Sequence, residues 1–322
     1  MQLNLRLHSM DAATPAARRT RSAVRKGRKW LWALVRAVFI IGFSFVVLYP
    51  LLKIISQSFM ERRDLYDASV LWLPKHFTLE NYEYTIEWMD YLPSFLNSLW
   101  SSTLATLLQL FSCVTAGYAF ARYRFPFHRI LFGAVIVMLI IPPQLTMMAS
   151  YMQFYDFDVL HILHLINGKG INLLDSQWPI MLMSATGTGI RSGLFIYMFR
   201  QFFRSMPRET EEAAMVDGAG HFRIFFTIML PGATTVLVTV ALFSFVWQWN
   251  DVFFTNLYNR TFQNLTMQTQ MIASNFVDTL DPAVAQLHRS VALLLTIAPL
   301  VLLFLVMQRF FVESVERSGV VG

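Results

Sequence analysis

The sequence Trp247-Gln248-Trp249-Asn250-Asp251 places aromatic, amide and carboxylate side chains next to one another inside an otherwise apolar stretch. Such a group can recognise a sugar, because rings stack on its C–H faces while amides and a carboxylate form directional hydrogen bonds. Polar side chains within a membrane span are costly in lipid and usually face the bundle interior or a water-filled cavity. An aromatic belt at the outer membrane interface, with Asp251 near water, explains the same residues equally well.

Arg191 is another charged residue inside an apolar stretch, where Gly189 and Gly193 flank it. The two glycines form a G-x-x-x-G step that permits close helix packing. An arginine at mid-span costs at least about 2.5–3.5 kcal/mol on insertion scales, so its side chain should face a cavity or an acidic partner. We therefore expect Arg191 to line a translocation path or to pair with Asp251. The candidate path residues are Arg191, Trp247, Gln248, Asn250 and Asp251.

Residues for catalysis or metal binding form no recognisable pattern. The sequence lacks G-x-x-x-x-G-K-[ST], so this chain is not an ATPase, and it lacks H-E-x-x-H and G-x-S-x-G. No catalytic residue is predicted. His161 and His164 could share a helix face, but no third ligand follows, so an interfacial helix is favoured over a metal site. Cys113, the only cysteine, is expected to be a buried, inert thiol.

A polar segment at 205–231 lies between two long apolar stretches and has the pattern of two helices joined by a turn. Ser205 can cap the first helix, whose acidic residues sit favourably at the positive end of the helix dipole. Asp217-Gly218 is a turn signal, since glycine adopts positive φ at little cost. Pro231 should break the second helix. The segment predicts a docking helix at a membrane surface, with contacts carried by Glu211, Glu212, Ala213, Ala214, Asp217 and Gly218.

The composition excludes an ordinary soluble domain, because 55% of the 322 residues are hydrophobic, 14% are charged and the mean hydropathy is +0.47. A membrane core of about 30 Å needs about 20 apolar residues per helix. The predicted fold class is all-α and polytopic. Pro142-Pro143 should kink the third span, and this kink either lies near the translocation path or has a purely structural role. The second span is rich in hydroxyl groups, which predicts a position inside the bundle. The six predicted spans are 30–55, 96–121, 130–152, 178–203, 234–258 and 291–312.

The positions of Lys and Arg predict the orientation of these spans. Basic residues are concentrated in the N-terminal tail and in the connections 122–129 and 200–223, which alternate onto one side of the membrane. That side is the cytoplasm, so both termini and the docking segment should be cytoplasmic, and 156–177 should form an outer loop. The formal charge of +6 is therefore explained by topology, and no nucleic-acid partner is expected.

Glu212-Ala213-Ala214, Gly218 and the segment 228–231 resemble the "EAA" loop of the membrane subunits of ABC importers. In that family the loop holds a coupling helix, which docks into a cleft of the ATPase subunit. The resemblance covers nearly everything from Phe77 to Phe311, whereas 1–29 is not covered and 156–177 is longer than usual. Other segments are similar to the carbohydrate-importing branch, the maltose-type permeases: 77–82, 97–98, 116–122, 200–207 and 247–251.

This resemblance implies a type I ABC importer permease fold with six transmembrane helices in a bacterial inner membrane. It divides the chain into a cytoplasmic tail (1–29), a first span with an external segment (30–93), a permease core (94–312) and a C-terminal cytoplasmic tail (313–322). It implies a transport subunit, not an enzyme, that pairs with a second homologous permease, two ATPase subunits and an extracytoplasmic solute-binding protein. This chain would hold no cofactor, since ATP and Mg would be bound by the ATPase. In maltose-type systems the partner permease can make most of the sugar contacts.

Two other classes of membrane protein are alternatives. A membrane enzyme would need a carboxylate pair, or a nucleophile with a base, at membrane depth, and only Asp251 qualifies. A secondary transporter driven by an ion gradient usually has several intramembrane acids or an inverted repeat, and neither is evident. Co-purification with an ATPase distinguishes an importer subunit from both.

Overall fold

The computed structural model describes residues 15–159, 162–275 and 281–319. Within these ranges the chain is helical and without strands, and isolated β-bridges join Met60 to Phe77 and Phe157 to Ile171. A 3₁₀ turn at Pro143–Leu145 precedes α6, and a π-helical turn at Phe225–Met229 joins α11 to α12. The helices are α1 (Pro15–Ser58), α2 (Arg62–Tyr66), α3 (Glu80–Trp88), α4 (Tyr91–Arg122), α5 (His128–Ile140), α6 (Met147–Tyr155), α7 (Ile162–Asn167), α8 (Trp178–Ala185), α9 (Ser192–Ser205), α10 (Glu209–Val216), α11 (His221–Ile224), α12 (Leu230–Gly232), α13 (Thr234–Trp249), α14 (Phe253–Tyr258), α15 (Leu265–Asn275) and α16 (Pro282–Gly319).

Among the described residues, three continuous helices are long and apolar enough to cross a membrane, namely Arg28–Ser58, Tyr91–Arg122 and Val284–Gln308. A fourth crossing is present if His221–Gly232 and Thr234–Trp249, which bend by 76° at their junction, form one broken span. These helices match the predicted first, second, sixth and fifth spans. The predicted third and fourth spans are each divided into shorter helices, so the total of six remains a prediction.

The divided spans break where the backbone cannot continue as a helix. The third stops at Ile140, ahead of Pro142-Pro143, because proline has no N–H to donate to the helix ladder. The fourth stops at Ala185, and in the following turn Gly187 and Arg191 have φ of +70° and +58°. Those values belong to the left-handed region and not to a right-handed helix. We call residues 186–191 the span break.

Helix α4 is the centre of the bundle and packs against α8, α9, α13 and α15. It approaches α9 most closely at Gly117, where an added Cβ would lie 2.4 Å from the Cβ of Phe199. The prediction that the hydroxyl-rich second span lies inside the bundle is confirmed on one face of α4, while Thr103 on another face is exposed. The buried polar residues of that face include Ser98, Ser102, Thr106 and Gln109.

Asp64 ties together the segment between α1 and α4, which is predicted to be external. Its carboxylate accepts the backbone N–H of His76 at 2.9 Å and lies 2.6 Å from Nδ1 of the same residue. Burial alone would raise the pKa of Asp64, but the hydrogen bonds from His76 outweigh it and lower that pKa. The charged carboxylate therefore holds the segment in place.

Candidate functional site

The predicted docking helix is α10, which has Glu209, Glu211 and Glu212 in its first turn, where the helix dipole favours negative charge. The helix ends at Val216 with Asp217 as its C-cap, and Gly218 turns the chain with φ of +81°, as predicted. The prediction that Ser205 caps this helix is wrong. Ser205 ends α9 instead and donates its hydroxyl to Phe202 O at 2.7 Å, because two further residues separate it from the turn that starts α10.

The predicted docking residues divide into two groups. Ala214 is buried and Glu211 is largely buried, so both face the bundle. Glu212, Ala213, Asp217 and Gly218 are exposed, together with Met215, Val216 and Phe222. Val216 and Phe222 are 88% and 83% exposed, an unusual state for apolar side chains on a polar loop. We call this exposed set the docking face.

Glu211 attaches α10 to the central helix of the bundle. Nε of Arg122, at the end of α4, lies 2.6 Å from Oε1 of Glu211, and the two side chains are only 6% and 13% exposed. Arg122 also donates from Nη2 to Met206 O at 3.0 Å. A cavity of about 160 Å³ opens beside this ion pair, and Arg208, Glu212 and His221 are among its lining residues.

A second connection from the docking face runs along the chain. Helix α11 continues through the π-helical turn into α12, and the chain bends by 76° before α13. Pro231 and Gly232 precede the bend, which confirms that the helix breaks there. Since α13 carries Trp247, this bent helical connection links the docking face to the candidate path through consecutive helices.

The structure brings two of the candidate path residues together. The guanidinium of Arg191 lies 5.5 Å from the centroid of the Trp247 ring, within cation–π distance. Phe195 and Phe243 stack on the same ring at centroid distances of 5.5 and 5.9 Å. Arg191 is exposed, although it lies in a stretch predicted to span the membrane. A charged group and an aromatic surface thus meet at the span break.

The other three path residues have different surroundings. Gln248 Nε2 lies 3.5 Å from Ser184 Oγ and lines a small cavity against the span break. Asn250 is exposed and donates to Val246 O of its own helix at 2.8 Å. Asp251 does not pair with Arg191, so that expectation is wrong.

Asp251 instead organises the start of α14. Its carboxylate accepts the backbone N–H groups of Phe254 and Thr255 at 3.2 and 2.9 Å. The Thr255 hydroxyl donates to the same carboxylate at 3.1 Å. The N-cap residue is Val252, so Asp251 satisfies N–H groups of the first turn from one residue before the cap, and its carboxylate is already engaged within its own loop.

The sequence did not single out Arg122 or Gln109 as functional residues. Gln109 is fully buried, and its amide donates to the carbonyl of Ile190 in the span break, just before α9. The sequence signal available for Gln109 was a glutamine among the serine and threonine residues of an otherwise apolar span. For Arg122 the signal was a basic residue at a span end, which membrane topology alone would explain.

No group of three metal-ligating side chains is found in the described parts of the chain. His161 lies outside those parts. His164 lies between two carboxylates, with Nδ1 2.7 Å from Asp158 and Nε2 3.1 Å from Asp156. The hydrogen bond with Asp158 raises the pKa of His164 in spite of desolvation. When His164 is protonated, an ionic bridge to Asp156 and Asp158 therefore holds this loop, which is predicted to be an outer one.

The described part of the chain is helical, has helices of membrane length and anchors the partly exposed helix α10 to the bundle, which is the architecture of a multi-pass membrane protein. The chain belongs to the family of binding-protein-dependent transport system inner membrane components, whose sequence profile matches residues 113–317. The matched region contains α10, the span break and α13. Family membership makes the chain a membrane permease subunit of an ABC transporter and not an enzyme, which sets aside the two alternative classes.

Curated relatives and a solved structure are consistent with this assignment. The alpha-glucoside transport system permease protein AglG of Rhizobium meliloti is 34% identical over 179 residues, or 56% of this chain and 44% of AglG. The diacetylchitobiose uptake system permease protein NgcG of Streptomyces coelicolor is 26% identical over 298 residues, or 92% of this chain and 91% of NgcG. A structure of a bacterial ABC transporter involved in the import of the acidic polysaccharide alginate matches with a TM-score of 0.67 at 18% identity, covering 88% of this chain and 98% of that one. This likeness shows the shared fold. Proteins of this family act with a binding protein and an ATPase as separate components.

Proposed function

We propose that this chain is one permease subunit of an ATP-driven importer of a sugar, either a monosaccharide or an oligosaccharide. The names of AglG and NgcG give an alpha-glucoside and diacetylchitobiose as the compounds those relatives transport. Trp247 is only partly buried and lies within cation–π distance of the Arg191 guanidinium, so the pair offers an aromatic ring and hydrogen-bond donors that suit a sugar. Arg191, Trp247, Gln248 and the exposed Asn250 are proposed to line the path, whereas Asp251 is proposed to stabilise the start of α14 beside it.

The proposed assembly contains a second homologous permease, two ATPase subunits that bind ATP and Mg, and an extracytoplasmic binding protein that delivers the sugar. The chain crosses the lipid bilayer with both termini and α10 in the cytoplasm. One ATPase contacts the docking face, namely Glu212, Ala213, Met215, Val216, Asp217, Gly218 and Phe222. No nucleic acid and no cofactor bound by this chain is part of the proposal.

The observation that carries the coupling role is the two-sided character of α10, since one side is anchored and the other is exposed. A movement of the ATPase against Val216 and Phe222 is passed to α4 through Glu211 and Arg122. It is passed to α13 through the bent connection at Ala233. The ATP state of the partner thereby selects between two packings of the bundle.

Single cysteines test the docking face and its orientation. Cys113 is buried, so introduced thiols dominate the labelling. Val216→Cys should cross-link to the ATPase and react with a membrane-impermeant thiol reagent only from the cytoplasmic side. Leu73→Cys, which is 81% exposed in the external segment, is the matched control and should react only from outside. Labelling of Val216→Cys from outside, or no ATPase cross-link, would reject the proposal.

The sugar specificity is tested with the complete importer in proteoliposomes. Uptake of radiolabelled maltose, as an α-glucoside, and of diacetylchitobiose is measured with binding protein and ATP present. Trp247→Ala and Arg191→Met should reduce uptake while the two ATPases remain bound. If the native importer takes up neither these two sugars nor any other monosaccharide or oligosaccharide, or if uptake continues with no ATPase bound, the proposed function is wrong.

A further inference from the structure

Gln109 is the polar centre of the bundle and joins three helices. Its Nε2 donates to Ile190 O and to Ser192 Oγ, both at 2.7 Å, at the start of α9. Its Oε1 accepts the hydroxyl of Ser244 on α13 at 2.6 Å. Because a backbone carbonyl can only accept, the amide nitrogen must face the span break, which fixes the orientation of the side chain.

One turn of α4 contacts both sides of the span break. Gln109 binds the side that starts α9, and Ser112 donates to Ser184 O at 2.7 Å on the side that ends α8. Residues three apart share a helix face, so a single face of α4 spans the gap between the two helix ends. The Ser184 carbonyl also accepts the backbone N–H of Gly187 at 3.3 Å, whereas Gln109 supplies a partner to the Ile190 carbonyl, which the interrupted helix would otherwise leave unpaired.

Arg191 lies between the two residues that Gln109 contacts. Ile190 supplies the carbonyl and Ser192 the hydroxyl, so the amide holds the backbone on both sides of Arg191. Arg191 has φ of +58°, a left-handed conformation that is unfavourable for a residue with a Cβ and is retained when neighbouring contacts impose it. The same amide, through Ser244, is attached to the helix that carries Trp247.

We infer that Gln109 is a positioning residue for sugar passage. Through its contacts with Ile190 and Ser192, on either side of Arg191, it holds the Arg191 guanidinium over the Trp247 ring. This inference rests on the proposed function, since it takes Arg191 and Trp247 as part of the path. Gln109 itself touches no substrate. It acts by fixing the backbone conformation at Arg191 relative to α13.

The first test measures position without any sugar. In Arg191→Cys, the rate of reaction with a charged, water-soluble thiol reagent reports the surroundings of residue 191. Adding Gln109→Leu, which keeps the volume and removes the amide, should change that rate about tenfold, the factor for roughly one lost hydrogen bond. Thr296→Val is the matched control, because it removes a buried hydrogen bond of 2.7 Å with Thr269 away from the break. An unchanged rate with Gln109→Leu overturns the inference.

The second test measures sugar imported per ATP hydrolysed, with radiolabelled maltose and diacetylchitobiose as probes. Gln109→Leu and Arg191→Met should each lower this ratio about tenfold, and the double variant should differ from Arg191→Met by less than about twofold, since both changes act on one contact. A misfolded complex would lower ATP hydrolysis as well. Ser192→Ala, which removes one acceptor and leaves the amide in place, should give an intermediate value if Gln109→Leu does not assemble.

The outcomes separate this inference from the proposed function. If Arg191→Met leaves the ratio unchanged, the path assignment falls and the inference falls with it. If Arg191→Met lowers the ratio but Gln109→Leu does not, the path assignment stands and the inference is wrong. A full additional loss from Gln109→Leu in the Arg191→Met background also overturns it, because Gln109 then acts by another route.

Discussion

Arg122 and Glu211 form an ion pair of 2.6 Å that joins the end of the central helix to the first turn of the docking helix. Both side chains are shielded from water by the surrounding helices. Glu212, the next residue, lies about 100° further round α10 and is exposed. The two adjacent carboxylates therefore differ in their surroundings: Glu211 anchors the helix, and Glu212 is the one proposed to contact the ATPase.

Glu211→Ala should destabilise the subunit strongly, because it leaves the buried Arg122 guanidinium without its counter-charge. The expected cost is about 3–5 kcal/mol for breaking a buried pair. Glu212→Ala, at an exposed position, should stay within about 0.5 kcal/mol. Thermal unfolding of the detergent-solubilised complex measures both, and equal effects of the two variants would contradict the anchoring role.

Gly218→Ala should weaken coupling to the ATPase, because φ of +81° places a Cβ in a strained conformation. The expected cost is about 1–2 kcal/mol at that turn. Gly220→Ala is the matched control, since Gly220 has φ of −73° and open space at its Cβ position. The readout is ATP hydrolysis stimulated by the binding protein. A loss that is as large in Gly220→Ala would show that flexibility, not positive φ, is required.

Gly117→Ala should destabilise the bundle, since the new methyl group would lie 2.4 Å from Phe199 Cβ and 3.0 Å from the backbone N of Arg200. Overpacking of this kind costs about 1–3 kcal/mol. Gly133→Ala in α5 has no atom within 4 Å of the new group and should be neutral or slightly stabilising, because alanine favours the helix. The yield and melting temperature of the two purified variants are the comparison. Equal melting temperatures would exclude close packing at Gly117.

Asp251→Asn should act on α14 and not on sugar import, because the carboxylate accepts hydrogen bonds from Phe254 and Thr255. Asparagine is also a good N-cap, so the expected loss is below about 0.5 kcal/mol, whereas Asp251→Ala should lose about 1 kcal/mol. Hydrogen exchange at 253–258 reports the capping effect. If Asp251→Asn abolished sugar import while hydrogen exchange at 253–258 was unchanged, Asp251 would have to be assigned to the translocation path.

The outer loop should loosen as pH rises. Asp158 and Asp156 hold the pKa of His164 above its ordinary value of 6.5. The raised pKa means that the stabilisation is fully present below about pH 6.5 and is lost as pH rises through the folded-state pKa. Hydrogen exchange of 156–170, corrected for its intrinsic pH dependence, should increase over that interval. His164→Gln should remove the pH dependence, and a dependence that persists in it would assign the effect to another group.

Local sequence signals predicted much of the architecture. Apolar stretches located the long helices, Pro142-Pro143 located a kink, and Asp217-Gly218 located the turn after the docking helix. These features depend on residues close together in the chain. The pairing of Arg122 with Glu211 and of Gln109 with Ile190 depends on which helices become neighbours, and one sequence does not contain that information.

The capping role of Asp251 was missed for a related reason. A carboxylate in an apolar stretch suggested an ion pair with Arg191, because burial of an unpaired charge is costly. The chain avoids that cost locally, by breaking the helix after Trp249 and using the N–H groups of the next helix. A polar residue inside a predicted span can therefore mark the place where the helix ends.

The contact of Gly117 with Phe199 has a mechanical consequence. Because the α4 and α9 backbones are in direct contact at this point, we expect a displacement of either helix to displace the other, so that the two move as one rigid body. A load that reaches α4 through Arg122 would then also be delivered to the turn at 186–191, which α4 holds through Gln109 and Ser112.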